Sequence, residues 1–170
     1  MSATCLDACC GPRMMWFDKD DPRCLFVDNR AEQHTVTDRS HGKKWGSRSF
    51  SIRPDVLASF EKLPFDDGQF PLVVFDPPHI NHGGRGFMVK KYGLLGENWR
   101  DVIRHGFAEC FRVLQPLGTL VFKWSECDIP VKDVIALTPA SPLFGQRCGA
   151  KSRTHWIVFQ KEASAHAHRG

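Results

Sequence analysis

The sequence predicts an α/β domain in which helices sandwich a mostly parallel sheet that takes in an antiparallel strand near its end. Three observations carry this. Short apolar runs carrying an acid at or near their ends alternate with a long helix-period stretch. The run Leu72-Val73-Val74-Phe75 is unbroken, as suits a parallel strand covered on both faces. The last two apolar runs are joined by a short basic, Gly-punctuated loop, a hairpin-like finish.

The elements follow in order. Thr4–Ala8 and Cys24–Asp28 read as short strands, and Ser49–Arg53 is a weaker one in which Phe50 and Ile52 alternate with polar neighbours. Phe70–Asp76 is the fourth strand. Trp99, Val102, Ile103, Phe107, Cys110, Phe111 and Leu114 recur at steps of three and four, so Asn98–Gln115 reads as an amphipathic helix with Asn98 as N-cap and Pro116 beyond its end. Thr119–Trp124 is a fifth strand, Ile129–Leu137 a short helix, and Leu143–Gln146 and His155–Lys161 the closing strands.

At 170 residues the chain suits a single domain, taken as 1–162, with the aperiodic tail from 163 to 170 read as frayed. No apolar run reaches membrane-spanning length and the N-terminus lacks the order of a secretory signal, so the expectation is a cytoplasmic protein with no membrane contact. Seven cysteines, with no paired CxxC and no HxxxH, read as reduced thiols rather than a metal site. The adjacent Cys9 and Cys10 read as small residues of a tight loop.

The net charge of +4 is weakly informative, and its distribution says more. Segment 30–48 carries Arg30, Arg39, Lys43, Lys44 and Arg48. Segment 80–97 adds Arg85, Lys90 and Lys91, and segment 145–153 adds Arg147, Lys151 and Arg153. All read as loops, and in an open α/β sheet they fall along the carboxyl edge, where ligands bind. That same edge receives DACCGPR after the first strand, VDNR after the second, DPPH after the fourth and KWSE after the fifth. In FDPPHI, two prolines remove two backbone donors, so the strand must stop and turn there.

Taken in order, LDACCG, VDNR, LPFDDGQFPLVVFDPPH, AECFRVLQPLGTLVF and THWIVFQK resemble the class I S-adenosylmethionine-dependent methyltransferases. The DPPH turn is similar to the (D/N)PP(aromatic) motif of their nucleic-acid amino-methyltransferase branch. The resemblance spans Cys5 to Lys161 and implies a three-layer Rossmann-like fold with an antiparallel last strand. It implies S-adenosyl-L-methionine as the cofactor and no metal.

By the resemblance, Asp7 helps to hold the glycine loop and the methionine amine, Gly11 lets the backbone approach the methionine, and Asp28 takes both ribose hydroxyls. Cys9 stands at the first small position of that loop and Arg13 at the third, both departures from the family pattern. Arg13 either pairs with the cofactor carboxylate or is a surface cation beside Asp7 or Asp18. Asp55 either reads the adenine amine or caps the turn that follows it.

Asp76 and the carbonyl of Pro77 would accept the two N–H groups of an exocyclic amine and align its lone pair with the methyl. Pro78 completes the turn, and His79 stands where an aromatic usually stacks on a flipped base. Arg85, Lys90 and Lys91 would meet phosphates, or are simply solvated, and Tyr92 would stack on a base or anchor its loop. Lys123 and Trp124 end the fifth strand beside the same pocket, with Trp124 as a wall or as core. The acceptor implied is adenine N6 in DNA, with RNA bases and a non-catalytic binding module as alternatives. A homodimer would let so small a chain span a duplex.

Overall fold

The computed structural model describes residues 3–38, 46–82, 86–149 and 152–163. Its strands are β1 (Cys5–Asp7), β2 (Cys24–Asp28), β3 (Glu32–Asp38), β4 (Gly46–Ile52), β5 (Val56–Leu57), β6 (Phe70–Phe75), β7 (Leu114–Ser125), β8 (Phe144–Arg147) and β9 (Thr154–Gln160). The helices are α1 (Phe87–Tyr92), α2 (Trp99–Val113) and α3 (Val131–Ile135). The expected tail lies mostly outside the described residues.

A seven-stranded sheet runs β5-β2-β1-β6-β7-β9-β8. β1 pairs in parallel with β2 and β6, β2 with β5, and β6 with β7. β9 enters antiparallel between β7 and β8. The expected mostly parallel sheet with an antiparallel last strand is therefore present.

Side-chain alternation sorts the strands onto two faces. Leu6, Val27, Val73, Phe75, Leu120 and Phe122 join one core cluster with Ile103, Phe107, Cys110 and Val113 of α2 and Val134 of α3. Cys5, Cys24, Phe26 and Val74 form the other cluster, and there the cover comes from Cys10, Met15 and Trp16 of the loop after β1. That loop is fixed by an edge-on contact of Trp16 on Phe26, 5.1 Å between centroids. Arg112 near the end of α2 donates to Glu109, Asp67 and the carbonyls of Leu63 and Phe65, which ties the approach to β6 onto the helix.

Three expectations change. Ser49–Arg53 is not the third strand of the sheet: it falls mostly within β4, which pairs with β3 as a separate antiparallel ribbon. The third strand is the two-residue β5, so Asp55 precedes that strand instead of following it, and no helix follows for it to cap. The basic segment 30–48 is accordingly strand over Glu32–Asp38, while Arg39, Lys43 and Lys44 lie outside the described residues. The long connection after β6 contains the exposed helix α1. Asn98 does occupy the N-cap of α2 but makes no side-chain bond there; its carbonyl receives Val102 N–H at 3.1 Å.

Gly106 lets α2 lie close to the sheet. A Cβ there would stand 2.5 Å from Phe75 Cζ and 2.9 Å from Phe60 Cδ2. Gly106→Ala is expected to lower stability by about 1–3 kcal/mol through overpacking, despite the better helix propensity of alanine. Urea denaturation followed by circular dichroism checks this, and a midpoint equal to or above the parent's contradicts the packing.

Candidate active site

The site is built at the carboxyl edge of the parallel strands. Asp7 closes β1 with no exposed surface. Its oxygens accept Cys9 N–H at 3.3 Å and Trp16 Nε1–H at 2.7 Å. The chain then turns through Gly11 and Arg13, both at positive φ, +50° and +53°. Glycine carries the first without a Cβ penalty. Gly11 N–H donates to Asp28 Oδ2 at 2.9 Å, so the loop after β1 is fastened to the end of β2. Asp28 Oδ1 accepts Arg30 N–H at 2.9 Å and Arg30 Nε–H at 3.2 Å.

The Arg30 guanidinium continues to the carbonyl of Lys90 at 3.1 Å and so links Asp28 to α1. From the other side Phe87 of α1 meets Phe50 of the ribbon edge-on, 6.0 Å between centroids. A cavity of about 450 Å³ lies between these parts. Cys9, Gly11, Met14, Asp28 and Arg30 line it from β1 and β2, Phe60 and Glu61 from the segment after β5, and Lys91, Tyr92 and Gly93 from α1 and its end. Asp76, Pro78 and Lys123 line it from β6 and β7.

Register sets the last group. Phe75 pairs with Phe122 as the last rung of the ladder, which brings Asp76 and Lys123, the residues just beyond it, side by side, and Lys123 Nζ donates to Asp76 Oδ2 at 2.5 Å. Burial pushes the Asp76 carboxyl up from its ordinary range, and the Lys123 ammonium opposes the shift. Burial pushes the His79 imidazole down, against the pull of Asp76, so it is neutral at neutral pH. The His79 ring lies 5.8 Å from Tyr92 and 6.4 Å from Trp124.

Of the residues singled out in the sequence, Cys9, Gly11, Asp28, Asp76, Pro78, Lys91, Tyr92 and Lys123 meet at one cavity. Pro77 is buried beside it. Lys90 is exposed and contributes its carbonyl to Arg30. Arg85 lies outside the described residues. Asp7 is enclosed beneath the loop that it shapes.

Among the described residues Arg13 bonds neither Asp7 nor Asp18. It donates to Asp20, Asp55 and the carbonyls of Lys19 and Arg53, and stacks 3.8 Å over Phe26. Asp55 is committed to Arg13 and to Phe26 N–H, and it lines a separate open cavity. Trp124 has no exposed surface and donates its indole N–H to Ile129 O at 3.0 Å, so it is core and not a wall. Glu126 accepts Val131 N–H and bonds His155. Phe60, Glu61 and Arg30 were missed as lining residues. The first two follow a strand too short to signal itself, whereas Arg30, two residues past the acid of VDNR, was legible.

No family model matches the sequence, and no curated protein matches it. Solved structures do. The PH0226 protein of Pyrococcus horikoshii superposes with a TM-score of 0.60 at 14% identity, over 93% of this chain and 81% of that one. A SAM-dependent methyltransferase of Methanosarcina mazei gives 0.54 at 14%, over 94% and 92%. The chain has the fold of class I S-adenosylmethionine-dependent methyltransferases. A 16S rRNA N2 G1207 methyltransferase of T. thermophilus, solved with AdoMet and guanosine, shares this methyltransferase fold with a TM-score of 0.53 at 16% identity, over 98% of this chain and 37% of its own. Among the described residues no cluster of His, Cys, Asp and Glu could hold a metal, and no helix is long and apolar enough to cross a membrane.

Within this methyltransferase fold, burial pushes the Asp7 carboxyl up to about 7, outweighing the two hydrogen bonds it accepts. The folded state therefore binds a proton that the unfolded chain has already lost between about pH 4 and 7, and stability falls as pH rises through that window, by at most about 1.4 kcal/mol per unit. Asp7→Asn removes the contribution. Thermal melts from pH 4.5 to 7.5 are expected to show the parent losing stability relative to Asp7→Asn as pH rises. Parallel curves contradict the assignment.

Proposed function

We propose that this protein transfers a methyl group from S-adenosylmethionine to an exocyclic amine of a nucleobase, with adenine N6 in DNA as the acceptor. One observation carries the reading: Asp76 of the Asp-Pro-Pro turn lines the same cavity as Gly11 and Asp28. The end suited to a methyl donor and the end suited to an amine therefore share one space.

The residues fit the donor. Gly11, at positive φ and without a Cβ, leaves backbone open to the methionine portion. Asp28 has about four acceptor sites and three N–H partners, so ribose hydroxyls take the remaining site or displace the Arg30 side chain. Phe60 and Glu61, with Met14, offer an apolar slot with a polar rim to the adenine. When bound, S-adenosylmethionine supplies an electrophilic methyl, and position and electrostatics are left to the protein.

At the acceptor end, an exocyclic amine is a poor nucleophile because its lone pair is delocalised into the ring. Asp76 and the Pro77 carbonyl hold its two N–H groups and turn the lone pair toward the methyl. Asp76 then accepts the proton that the methylated nitrogen sheds. His79, neutral and half-buried beside Tyr92, supplies a flat face for the base. Lys90 and Lys91 of α1 are placed to meet the nucleic-acid backbone.

Isothermal titration calorimetry with S-adenosylmethionine and transfer of tritiated methyl to single-stranded DNA, duplex DNA and RNA test the proposal. The expected result is cofactor binding and N6-methyladenine in DNA. Methylated RNA alone moves the acceptor, and no cofactor binding at millimolar concentration removes the enzyme reading. Asp76→Ala is expected to lose at least about 100-fold in kcat while binding the cofactor within about threefold of the parent. Equal activity of the two contradicts the role of Asp76.

A further inference from the structure

We propose that Lys123 is a positioning residue for this transfer: its ammonium holds Oδ2 of Asp76, keeping the carboxylate ionised and leaving Oδ1 for the amine of the acceptor. The inference rests on the methyl-transfer reading above.

Four observations support it. Asp76 directly follows Phe75 and Lys123 directly follows Phe122, the last pair of the β6–β7 ladder, so strand register brings the two side chains together. The side chains are 24% and 15% exposed, in a setting where an ion pair is poorly screened by water. Both residues line the candidate active-site cavity. Among the described residues, Lys123 Nζ on Oδ2 is the one hydrogen bond to the Asp76 carboxylate, so Oδ1 is free to accept.

Lys123 is itself steadied from β9. Its register partner on β9 is Trp156, whose ring centroid lies 5.7 Å from Nζ. Trp124, the next residue on β7, is fully buried in the main core cluster.

The charged and titratable groups around Asp76 make the point sharper. Lys123 on β7 favours the anion, and His79 in the turn does so only when protonated. Asp7 at the end of β1 lies close enough to interact with Asp76, and so does the Cys9 thiol beyond it. His79 is neutral at neutral pH, and Asp7 adds negative charge whenever it ionises. Lys123 is thus the cation bonded directly to this carboxylate. The proton shed by the methylated nitrogen passes to Asp76 and then to solvent.

The test is a carbon-13 NMR titration of the full chain labelled at aspartate carboxyls, with the Asp76 signal assigned by its loss in Asp76→Asn. In Lys123→Met the Asp76 midpoint is expected to move upward and the acid limb of the kcat–pH profile to move with it. At pH 7 kcat is expected to fall about 10- to 100-fold while the dissociation constant for S-adenosylmethionine stays within about threefold. Lys123→Arg, which keeps the charge, is expected to restore the midpoint, and Lys123→Gln serves if the methionine variant does not fold. An Asp76 midpoint unchanged in the charge-removing variant overturns the proposal. A parent without methyl transfer overturns the activity instead, since the carboxyl titration reads Lys123 without turnover.

Discussion

Three carboxylates stand at the ends of three neighbouring strands, and the arrangement of the site follows from how each is neutralised. Asp28, Asp7 and Asp76 terminate β2, β1 and β6, adjacent in the sheet, and Asp7 and Asp28 keep at most 5% of their surface. Burial raises the proton affinity of Asp7 and Asp76, and at Asp7 the charges of Asp76 and Asp28 add to it. Asp28 takes backbone donors and Arg30, Asp76 takes Lys123, and Asp7, with only Trp16 and one amide, is left to protonate near neutrality. The loop after β1 owes its shape to these demands. It is pulled down by Asp7, pinned by Asp28 and sealed by Trp16, and so covers one sheet face without a helix.

The same economy links the two ends of the cavity. Arg30 bridges Asp28 to the Lys90 carbonyl, and α1 rests on the β3–β4 ribbon through Phe87 and Phe50. The segment carrying Lys91 and Tyr92 is therefore held against the cavity by the very residue that pairs with Asp28. At the far end, Lys123 leaves one oxygen of Asp76 open. The buried charges that are costly to the fold are the ones positioned for chemistry.

Much of this was legible in the sequence, because strand ends mark the carboxyl edge and parallel pairing fixes what meets there. Gly11, Asp28, Asp76 and Lys123 were found that way. The failures have physical causes. Lys123 and Trp124 are adjacent on a strand, so they face opposite sides, and only one of them can reach the cavity. Ser49–Arg53 alternates well enough to look like a sheet strand, yet it belongs to a ribbon whose other half lay hidden in a basic stretch. The true third strand, β5, is two residues long and has no periodicity to read. That displacement misplaced Asp55 and concealed Phe60 and Glu61. Arg13 found acids, but at Asp20 and Asp55, and with two backbone carbonyls and the Phe26 ring they make it a structural clamp.

The central claim is that one cavity joins a methyl donor to the Asp-Pro-Pro turn. It is tested most directly by a crystal structure of the protein with S-adenosylhomocysteine. The account predicts ribose hydroxyls at Asp28, the adenine beside Phe60, and the sulfur facing Asp76 across the space left for an acceptor. A ligand seated away from Gly11 and Asp28, or one whose sulfur is walled off from Asp76, contradicts it.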